Sequence, residues 1–200
     1  MSVVNAAAVL WRAAAEKREQ TQMAHYMRWL AEKKGLRFQS YQALWEWSAT
    51  DIEGFWSSLW EYFPVRASAQ PMAVLDSRRM PGAKWFPGAK LNYAEHAFRY
   101  ASAQQPAIIA QSETRERTEI DWETLRTNVA SVAQALREMG VVAGDRVVSY
   151  MPNVPETIIA FLATASLGAI WSSCSPDMGP GAVIDRFKQI EPKVLFTVDG

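Results

Sequence analysis

Apolar residues recur at helical spacing in the first third of the chain. In HYMRWLAEKKG, the side chains of Tyr26, Trp29 and Leu30 fall on one face of a helix, and Gly35 follows as a C-terminal stop. Ser40 precedes the segment YQALWEWS and has the side chain of a helix cap. This spacing predicts a helix that ends at the glycine and a second helix that begins after the serine.

A third amphipathic segment, DIEGFWSSLWEYF, begins at Asp51 and stops before Pro64. Its apolar positions form one stripe at helical spacing, made of Ile52, Phe55, Trp56, Leu59, Trp60 and Phe63. The region also holds Trp11, Trp29, Trp45 and Trp47. Tryptophans at such spacing usually pack helices onto a larger body, and an indole-lined cofactor site is the alternative.

Beyond about Pro106 the pattern changes to short apolar runs that alternate with amphipathic segments. The runs PAIIAQS, GDRVVSYM, AIWSSCS and KVLFTVD have the length and composition of strands. Between them lie three predicted helices, WETLRTNVASVAQALREMG, NVPETIIAFLATASLGA and GAVIDRFKQIEP. Asn153 has the side chain of an N-cap for the second of these, with Pro155 at the first helical position and Glu156 in the first turn.

Strands that alternate with helices predict an α/β fold with a parallel sheet covered on both faces. Right-handed crossovers are expected to connect the strands. Ligands of such sheets bind beyond the carboxyl ends of the strands. Three loops are expected there: MPNVPE, SCSPDMG and the segment after VDG. The chain stops at Gly200, just after a strand, so we expect it to be the N-terminal part of a longer protein.

Composition excludes several classes. Hydrophobic residues make up 49% of the 200 positions, enough for a core, and 21 Lys and Arg balance 21 Asp and Glu. That balance argues against a nucleic-acid or anionic-membrane partner. The most apolar run, Ile158 to Trp171, is shorter than the roughly 18–20 residues that a bilayer requires. Cys174 is the single cysteine, and the N-terminus lacks a secretory signal pattern, so a cytoplasmic location is expected.

The chain lacks several sequence signatures of catalysis. It has no GxxxxGKS/T or GxGxxG phosphate loop and no GxSxG nucleophile elbow. His25 and His96 lack metal-ligand spacing, and Cys174 has no histidine close to it in sequence. A buried structural thiol is the favoured interpretation of Cys174, and SETRERTE is interpreted as a solvated turn or hairpin. No catalytic residue and no metal ligand is therefore assigned.

The stretch WFPGAKLNYAEH, Trp85 to His96, is unusually aromatic for a linker. Pro87 and Gly88 predict a turn, and a helix is expected from Ala94 to Tyr100. We interpret the stretch as a packing strap between the helical region and the α/β region. Its anchors are expected to be Trp85, Phe86, Leu91 and Tyr93. Substrate contact by Lys84, Lys90 or Asn92 is the alternative.

Several long runs in matching order resemble the acyl-adenylate-forming synthetases, and within them the acetoacetate–CoA ligases (acetoacetyl-CoA synthetases). These runs are YQALWEWS, MPGAKWFPGAKLNYAEH, GDRVVSYMPNVPETIIAFLATASLGAIWSSCSPDMG and DRFKQIEPKVLFTVDG. Together they extend from about Tyr41 to Gly200. The resemblance implies a helical N-terminal extension at 1–98, with the strap at 81–96. It also implies the first, incomplete part of an AMP-binding α/β domain at 99–200.

The resemblance also implies a reaction. Acetoacetate attacks the α-phosphate of ATP and releases pyrophosphate, and the acyl-adenylate then passes its acyl group to the thiol of CoA. ATP, Mg²⁺ and CoA would be required. The family's phosphate loop and catalytic lysine are expected downstream of Gly200, so this segment is expected to be inactive alone. The oligomeric state is left open.

In this family, the loop that matches Ser175, Pro176 and Asp177 lies near the path of CoA. The resemblance therefore implies a CoA contact for these three residues. The alternative is a structural loop in which Ser175 or Asp177 caps the following helix. Two other functions stay open for the chain. One is a catalytically silent fragment that binds CoA or a partner protein, and the other is part of a ligase for a different short acid.

Overall fold

The structure, a computed structural model, describes residues 11–199, and the chain divides into two compact units after Ala89. Residues 1–10, on which the interpretation of the missing secretory signal depends, and Gly200 lie outside the described residues. The first unit is helical, and the second combines helices with strands. The division falls inside the stretch WFPGAKLNYAEH, so its two halves belong to different units.

In its described residues, 11–89, the first unit contains four helices, and residues predicted from the sequence begin or end three of them. They are α1 (Ala15–Glu19), α2 (Gln22–Lys34), α3 (Tyr41–Thr50) and α4 (Ile52–Tyr62). Gly35 ends α2 in the left-handed conformation, with a φ of 70°. The side chains of Ser40 and Asp51 accept hydrogen bonds from the amides of Ala43 and Gly54, at 3.2 and 3.0 Å. These cap predictions are confirmed.

The core of the first unit forms around Tyr26, Leu30 and Leu44, which are all buried. The Tyr26 hydroxyl lies 2.5 Å from the Ser58 hydroxyl, and burial raises the pKa of Tyr26 above its ordinary value. Trp29 and Trp47 pack against this core. The interpretation of the tryptophans as packing residues is confirmed for these two, whereas Trp11 is 78% exposed.

The first half of the aromatic stretch is built into the same unit. The amide of Phe86 donates to the carbonyl of Val74 at 2.8 Å, and the Phe86 ring lies 4.6 Å from the Trp60 ring between centroids. Trp85 makes an edge contact with Trp56. The predicted turn is present, with Gly88 at a φ of 85°. Trp85 and Phe86 therefore anchor the stretch as expected.

The second unit follows as a series of helices and strands. These are α5 (Tyr93–Phe98), β1 (Ile108–Ala110), β2 (Thr118–Ile120), α6 (Trp122–Glu138), β3 (Arg146–Tyr150), α7 (Pro155–Ser166), β4 (Ile170–Cys174), α8 (Pro180–Lys188) and β5 (Val194–Thr197). The long helix predicted from its apolar spacing is α6, and Asp121 caps it by accepting from the amide of Thr124 at 2.7 Å. That bond lowers the pKa of Asp121.

Three of the predicted strands form a parallel sheet in the order β4-β3-β5. The fourth, within PAIIAQS, does not join it. Residues 108–110 pair antiparallel with 118–120, a strand that the sequence pattern did not predict. The assignment of PAIIAQS to the parallel sheet is wrong, because its hydrogen bonds go to the nearby hairpin partner. SETRERTE contains the connection of this hairpin, as interpreted.

Helices cover both faces of the parallel sheet, as predicted. Val147 packs in a core with α6 and α7, which includes Leu136 and Ile159. Its neighbour Val148 points to the opposite face, where it packs against Val183 and Phe187 of α8. β3 is the central strand of this sheet, and its residues Val147 to Ser149 are buried.

The amino edge of the sheet is fastened by two basic side chains. Arg146 donates to the carbonyls of Ile190 and Glu191, at 2.6 and 2.8 Å. Lys193 donates to the carbonyl of Gly140 at 2.5 Å and to the carboxylate of Asp145 at 2.9 Å. The hydrogen bond from the amide of Val142 and, as a smaller contribution, that from Lys193 hold the pKa of Asp145 below its ordinary value.

Glu191 adopts a left-handed backbone conformation that disfavours a side chain. Its φ is 48°, while the side chain is 87% exposed and its carboxylate lies 4.0 Å from Arg146. Replacing Glu191 with glycine is expected to raise the free energy of unfolding by about 0.5–1 kcal/mol, because the left-handed cost outweighs the added freedom of the unfolded chain. Thermal unfolding measures the change.

Glu191→Ala is the matched control for this prediction. It removes the same carboxylate but keeps a Cβ at the left-handed position, and an exposed ion pair contributes little. No gain in stability is expected from alanine. A gain of equal size in both variants would assign the effect to charge and contradict the backbone argument.

Two helix starts in the second unit differ from the sequence prediction. α7 begins after Val154, with Pro155 at the first position, and Val154 makes no side-chain cap, so the assignment of Asn153 as the cap is wrong. α5 begins at Tyr93, one residue before the prediction, and Asn92 caps it. Pro155 fixes the start of α7 through its own φ, and the cap position falls on Val154.

Candidate functional site

The carboxyl ends of the three parallel strands meet at one edge of the sheet. Tyr150 at the end of β3 lies opposite Cys174 of β4 and opposite Thr197 of β5. The loops that follow, 151–154, 175–179 and 198–199, therefore begin side by side. The predicted placement of MPNVPE and SCSPDMG at this edge is confirmed, and the segment predicted after VDG lies outside the described residues. In parallel α/β sheets this is the edge where ligands bind.

The loop after β4 carries the three residues that were predicted to contact CoA. Ser175, Pro176 and Asp177 are exposed, and the Ser175 hydroxyl is hydrogen-bonded to the Asp177 carboxylate. The amide of Met178 closes a turn on the carbonyl of Ser175 at 3.1 Å. The helix that follows has Gly179 at its N-cap and takes no side-chain cap. The alternative that Ser175 or Asp177 caps α8 is therefore wrong.

Tyr150 ties this loop to the central strand. Its hydroxyl lies 3.0 Å from the carbonyl oxygen of Pro176 and 2.8 Å from that of Met178. A phenol has one proton to donate, so the two carbonyl oxygens share it. The Tyr150 ring packs on the same buried cluster as Met178, beside Val148. Both the ring and the hydroxyl of Tyr150 therefore hold the loop.

A cleft of about 680 Å³ opens at the same edge, between the β1–β2 hairpin and the start of α7. Polar groups from the hairpin, α6, the loop after β3 and α7 line it. They include Ser112, Thr114, Arg115, Asn128, Asn153 and Glu156. Val198 and Asp199, which follow β5, close another side. The cleft has the volume of a site for a small molecule.

An ion pair crosses the cleft wall. The Arg115 guanidinium lies 3.5 Å from the Glu156 carboxylate, and both side chains are more than half exposed. The pair balances the charge on the cleft surface, so the cleft is not a strongly positive phosphate pocket. Arg115 is held by a carboxylate on α7, whereas Arg117 pairs with Glu119 inside SETRERTE.

The described residues do not form a metal site. Among residues 11–199, no group of three or more His, Cys, Asp and Glu side chains is placed to hold a metal ion. No chemical step on a metal ion is assigned to these residues. No helix in the described part of the chain is long and apolar enough to cross a membrane.

Cys174 is buried on the α8 face of the sheet, 5% exposed, in contact with the cluster that contains Val148, Val183 and Phe187. A thiol in that apolar position is a packing residue, which agrees with the interpretation from the sequence.

Sequence reasoning missed Tyr150 and the Arg115–Glu156 pair. The only signal for Tyr150 was its position at the carboxyl end of a predicted strand.

The fold and this edge define the second unit as part of an α/β protein with a parallel sheet, a class whose ligands bind beyond the ends of the strands. The chain belongs to the AMP-binding enzyme family, whose model matches residues 96–200. A second model, the acetyl-coenzyme A synthetase N-terminus, matches residues 41–97. The expected family resemblance is confirmed.

Individual relatives cover nearly the whole chain. An acetoacetyl-coenzyme A synthetase from Rhizobium meliloti is 43% identical over 96% of this chain. The solved acetoacetyl-CoA synthetase from Streptomyces lividans is 47% identical, with a TM-score of 0.91 over 96% of the chain. A malonamoyl-CoA synthetase from Penicillium aethiopicum is 38% identical over 94% of the chain. The chain spans 29%, 30% and 27% of the length of these three proteins.

Proposed function

We propose that this chain is the N-terminal segment of an ATP-dependent acetoacetate–CoA ligase. The complete enzyme would convert acetoacetate, ATP and CoA to acetoacetyl-CoA, AMP and pyrophosphate. The observation that carries the proposal is the similarity of almost the entire chain to proteins named acetoacetyl-CoA synthetases. Both parts of the chain contribute, since the two family models match adjoining segments.

The segment would not catalyse this reaction by itself. Adenylation requires a phosphate-binding loop, a cation and a lysine around the in-line transition state. The sequence contains no phosphate loop of the family type, and the described residues form no metal site. We therefore assign no catalytic residue to the chain. ATP and Mg²⁺ would bind with residues of the complete enzyme that lie beyond Gly200.

The contribution of this segment would be scaffolding and a CoA contact. Residues 1–98, with the strap at 81–96, would form the helical extension, and residues 99–200 the first part of the AMP-binding domain. Ser175, Pro176 and Asp177 would contact CoA. Their exposure at the carboxyl edge of the sheet, and the finding that they do not cap α8, support that role. A single buried cysteine supports a reducing compartment such as the cytoplasm.

A ligase for a different short acid is the second candidate. The malonamoyl-CoA synthetase relative favours it, because a protein of similar sequence carries the name of another acyl group. The two acids are close in size, and a pocket distinguishes such substrates by few contacts. A catalytically silent fragment that binds CoA or a protein is the third candidate, and nothing in the described site favours it over the ligases.

ATP–pyrophosphate exchange separates these candidates. The assay is run on residues 1–200 and on the longest protein that the reading frame encodes, with acetoacetate, malonamate or acetate as the acid. Exchange with acetoacetate in the longer protein alone is the expected result. A preference for another acid would favour the second candidate. A longer protein without ATP–pyrophosphate exchange activity would favour the third. Exchange in the 200-residue chain would contradict the placement of the chemistry downstream.

A further inference from the structure

Tyr150 occupies a distinctive position between the sheet and the loop that would meet CoA. It is the last residue of β3, the central strand, whose backbone pairs on both sides with β4 and β5. A side chain at this point is carried by the most buried strand of the unit. Its hydroxyl reaches 26 and 28 residues along the chain, to the carbonyls of Pro176 and Met178.

The two carbonyls flank Asp177, so Tyr150 fixes the backbone on both sides of the residue at the tip of the loop. The other hydrogen bonds described for this tip are local, from the amide of Met178 to the carbonyl of Ser175 and between the side chains of Ser175 and Asp177. These local bonds join loop residues to one another, and Met178 also packs against the buried cluster on the α8 face. Among residues 11–199, Tyr150 is the sheet residue whose side chain forms hydrogen bonds with these two carbonyls.

We infer that Tyr150 is a positioning residue for the thioester-forming half-reaction, because its hydroxyl holds the 175–179 loop in the place where it meets CoA. This inference rests on the proposed ligase function. Tyr150 donates to backbone oxygens of the loop and would not touch the reacting atoms. The first half-reaction makes the acyl-adenylate without CoA, so it should not depend on this hydroxyl.

Tyr150→Phe in the complete protein tests the inference, since it removes the hydroxyl and keeps the ring in its cluster. We expect the KM for CoA to rise by about three- to tenfold, the effect of one shared hydrogen bond. Acetoacetate-dependent ATP–pyrophosphate exchange and the KM values for ATP and acetoacetate should stay unchanged. Tyr41→Phe is the matched control, because Tyr41 is 61% exposed and belongs to the first unit.

A second readout follows the loop without using catalysis. In the same variant, the amides of Asp177 and Met178 should exchange with deuterium faster, while the amides of β3 keep their protection. An unchanged KM for CoA overturns the inference. A parallel loss of ATP–pyrophosphate exchange and of thioester formation also overturns the inference, because such a loss indicates a general structural role. Absence of pyrophosphate exchange in the wild-type protein instead defeats the proposed function, and with it the assignment of the loop to CoA.

Discussion

Replacing Leu136 with alanine is expected to lower the free energy of unfolding of the second unit by about 2–5 kcal/mol. Leu136 is fully buried in α6, within the core that α6, α7 and the sheet share. Alanine would lose the transfer free energy of three carbon atoms and leave a cavity that the two helices and Val147 cannot fill without moving. This is the largest stability effect expected for any substitution considered.

Leu136→Met is the matched control for the cavity argument. Methionine conserves volume and adapts to irregular packing, so a loss of less than about 1.5 kcal/mol is expected. Urea unfolding gives the difference, with an unchanged slope showing that the unfolded state is the same. Hydrogen exchange of the Val147 and Val148 amides reports the same loss locally, in the isolated chain or in the complete protein. Equal losses for alanine and methionine would contradict the cavity explanation.

Periodicity and capping residues predicted the helices well because both signals are local. The spacing of Tyr26 and Leu30 placed the right face of α2 against its core, and α6 buries Leu125 and Val129 at the same helical spacing. Ser40 and Asp51 cap through an amide three residues away, a geometry that depends on no other part of the chain. The cap prediction for Asn153 was wrong because another local signal, the proline at the first helical position, sets the start of α7. Pro155 alone starts α7, and the chain takes Val154 as the cap.

The strands show where local signals stop. PAIIAQS has the apolar run of a buried strand, but its partner Thr118–Ile120 holds a threonine and a glutamate and lacks that signal. Pairing is decided between segments, so composition alone could not separate a hairpin from a parallel sheet. The three parallel strands were predictable because a helix follows β3 and β4, and this alternation specifies the order of layers.

The candidate site could be located from the sequence but not assembled. The rule for parallel sheets predicted that the loops after Tyr150 and Cys174 would lie at one edge. It did not predict the hydroxyl bond from Tyr150 to Pro176, since those residues are 26 apart and the contact depends on strand register. The Arg115–Glu156 pair was equally hidden, because it joins a hairpin to a helix start.

The second half of the aromatic stretch also corrects one anchor. Leu91 is 54% exposed, so its assignment as a packing anchor is wrong. Tyr93 is 64% exposed, but its ring contacts the ring of Phe161, with 5.3 Å between centroids, so one side of it anchors the stretch. The residue between them, Asn92, was considered only as a possible substrate contact. Its side-chain amide instead makes hydrogen bonds within the second unit.

Replacing Asn92 with alanine is expected to cost about 2–3 kcal/mol of stability, roughly one for the helix cap and one for each of two further hydrogen bonds. The side-chain oxygen of Asn92 accepts from the amide of Glu95 at 3.2 Å and so begins α5. Its Nδ2 group donates to the carbonyls of Ala165 and Ser166, at 3.1 and 3.2 Å. These carbonyls lie in the last turn of α7, where that of Ala165 also accepts from the amide of Gly168 at 3.0 Å.

Two further substitutions separate the functions of the Asn92 amide. Asn92→Ser keeps a cap acceptor and is expected to recover about 1 kcal/mol relative to alanine. Asn92→Asp keeps the cap too, but its carboxylate faces two carbonyl oxygens at the negative end of the α7 dipole, so it should be less stable than serine. Asn153→Ala, at the cap position that α7 does not use, should stay within about 0.5 kcal/mol of wild type.

Stability and kinetics together decide between structure and substrate contact at Asn92. A structural residue gives the order serine, then alanine and aspartate, in chemical unfolding, and the KM values of the folded variants stay close to wild type. A substrate contact predicts instead that Asn92→Ala keeps the stability of the wild type and raises the KM for one substrate in the complete protein. The structural result is expected, because the side-chain oxygen and both amide protons already have partners inside the second unit.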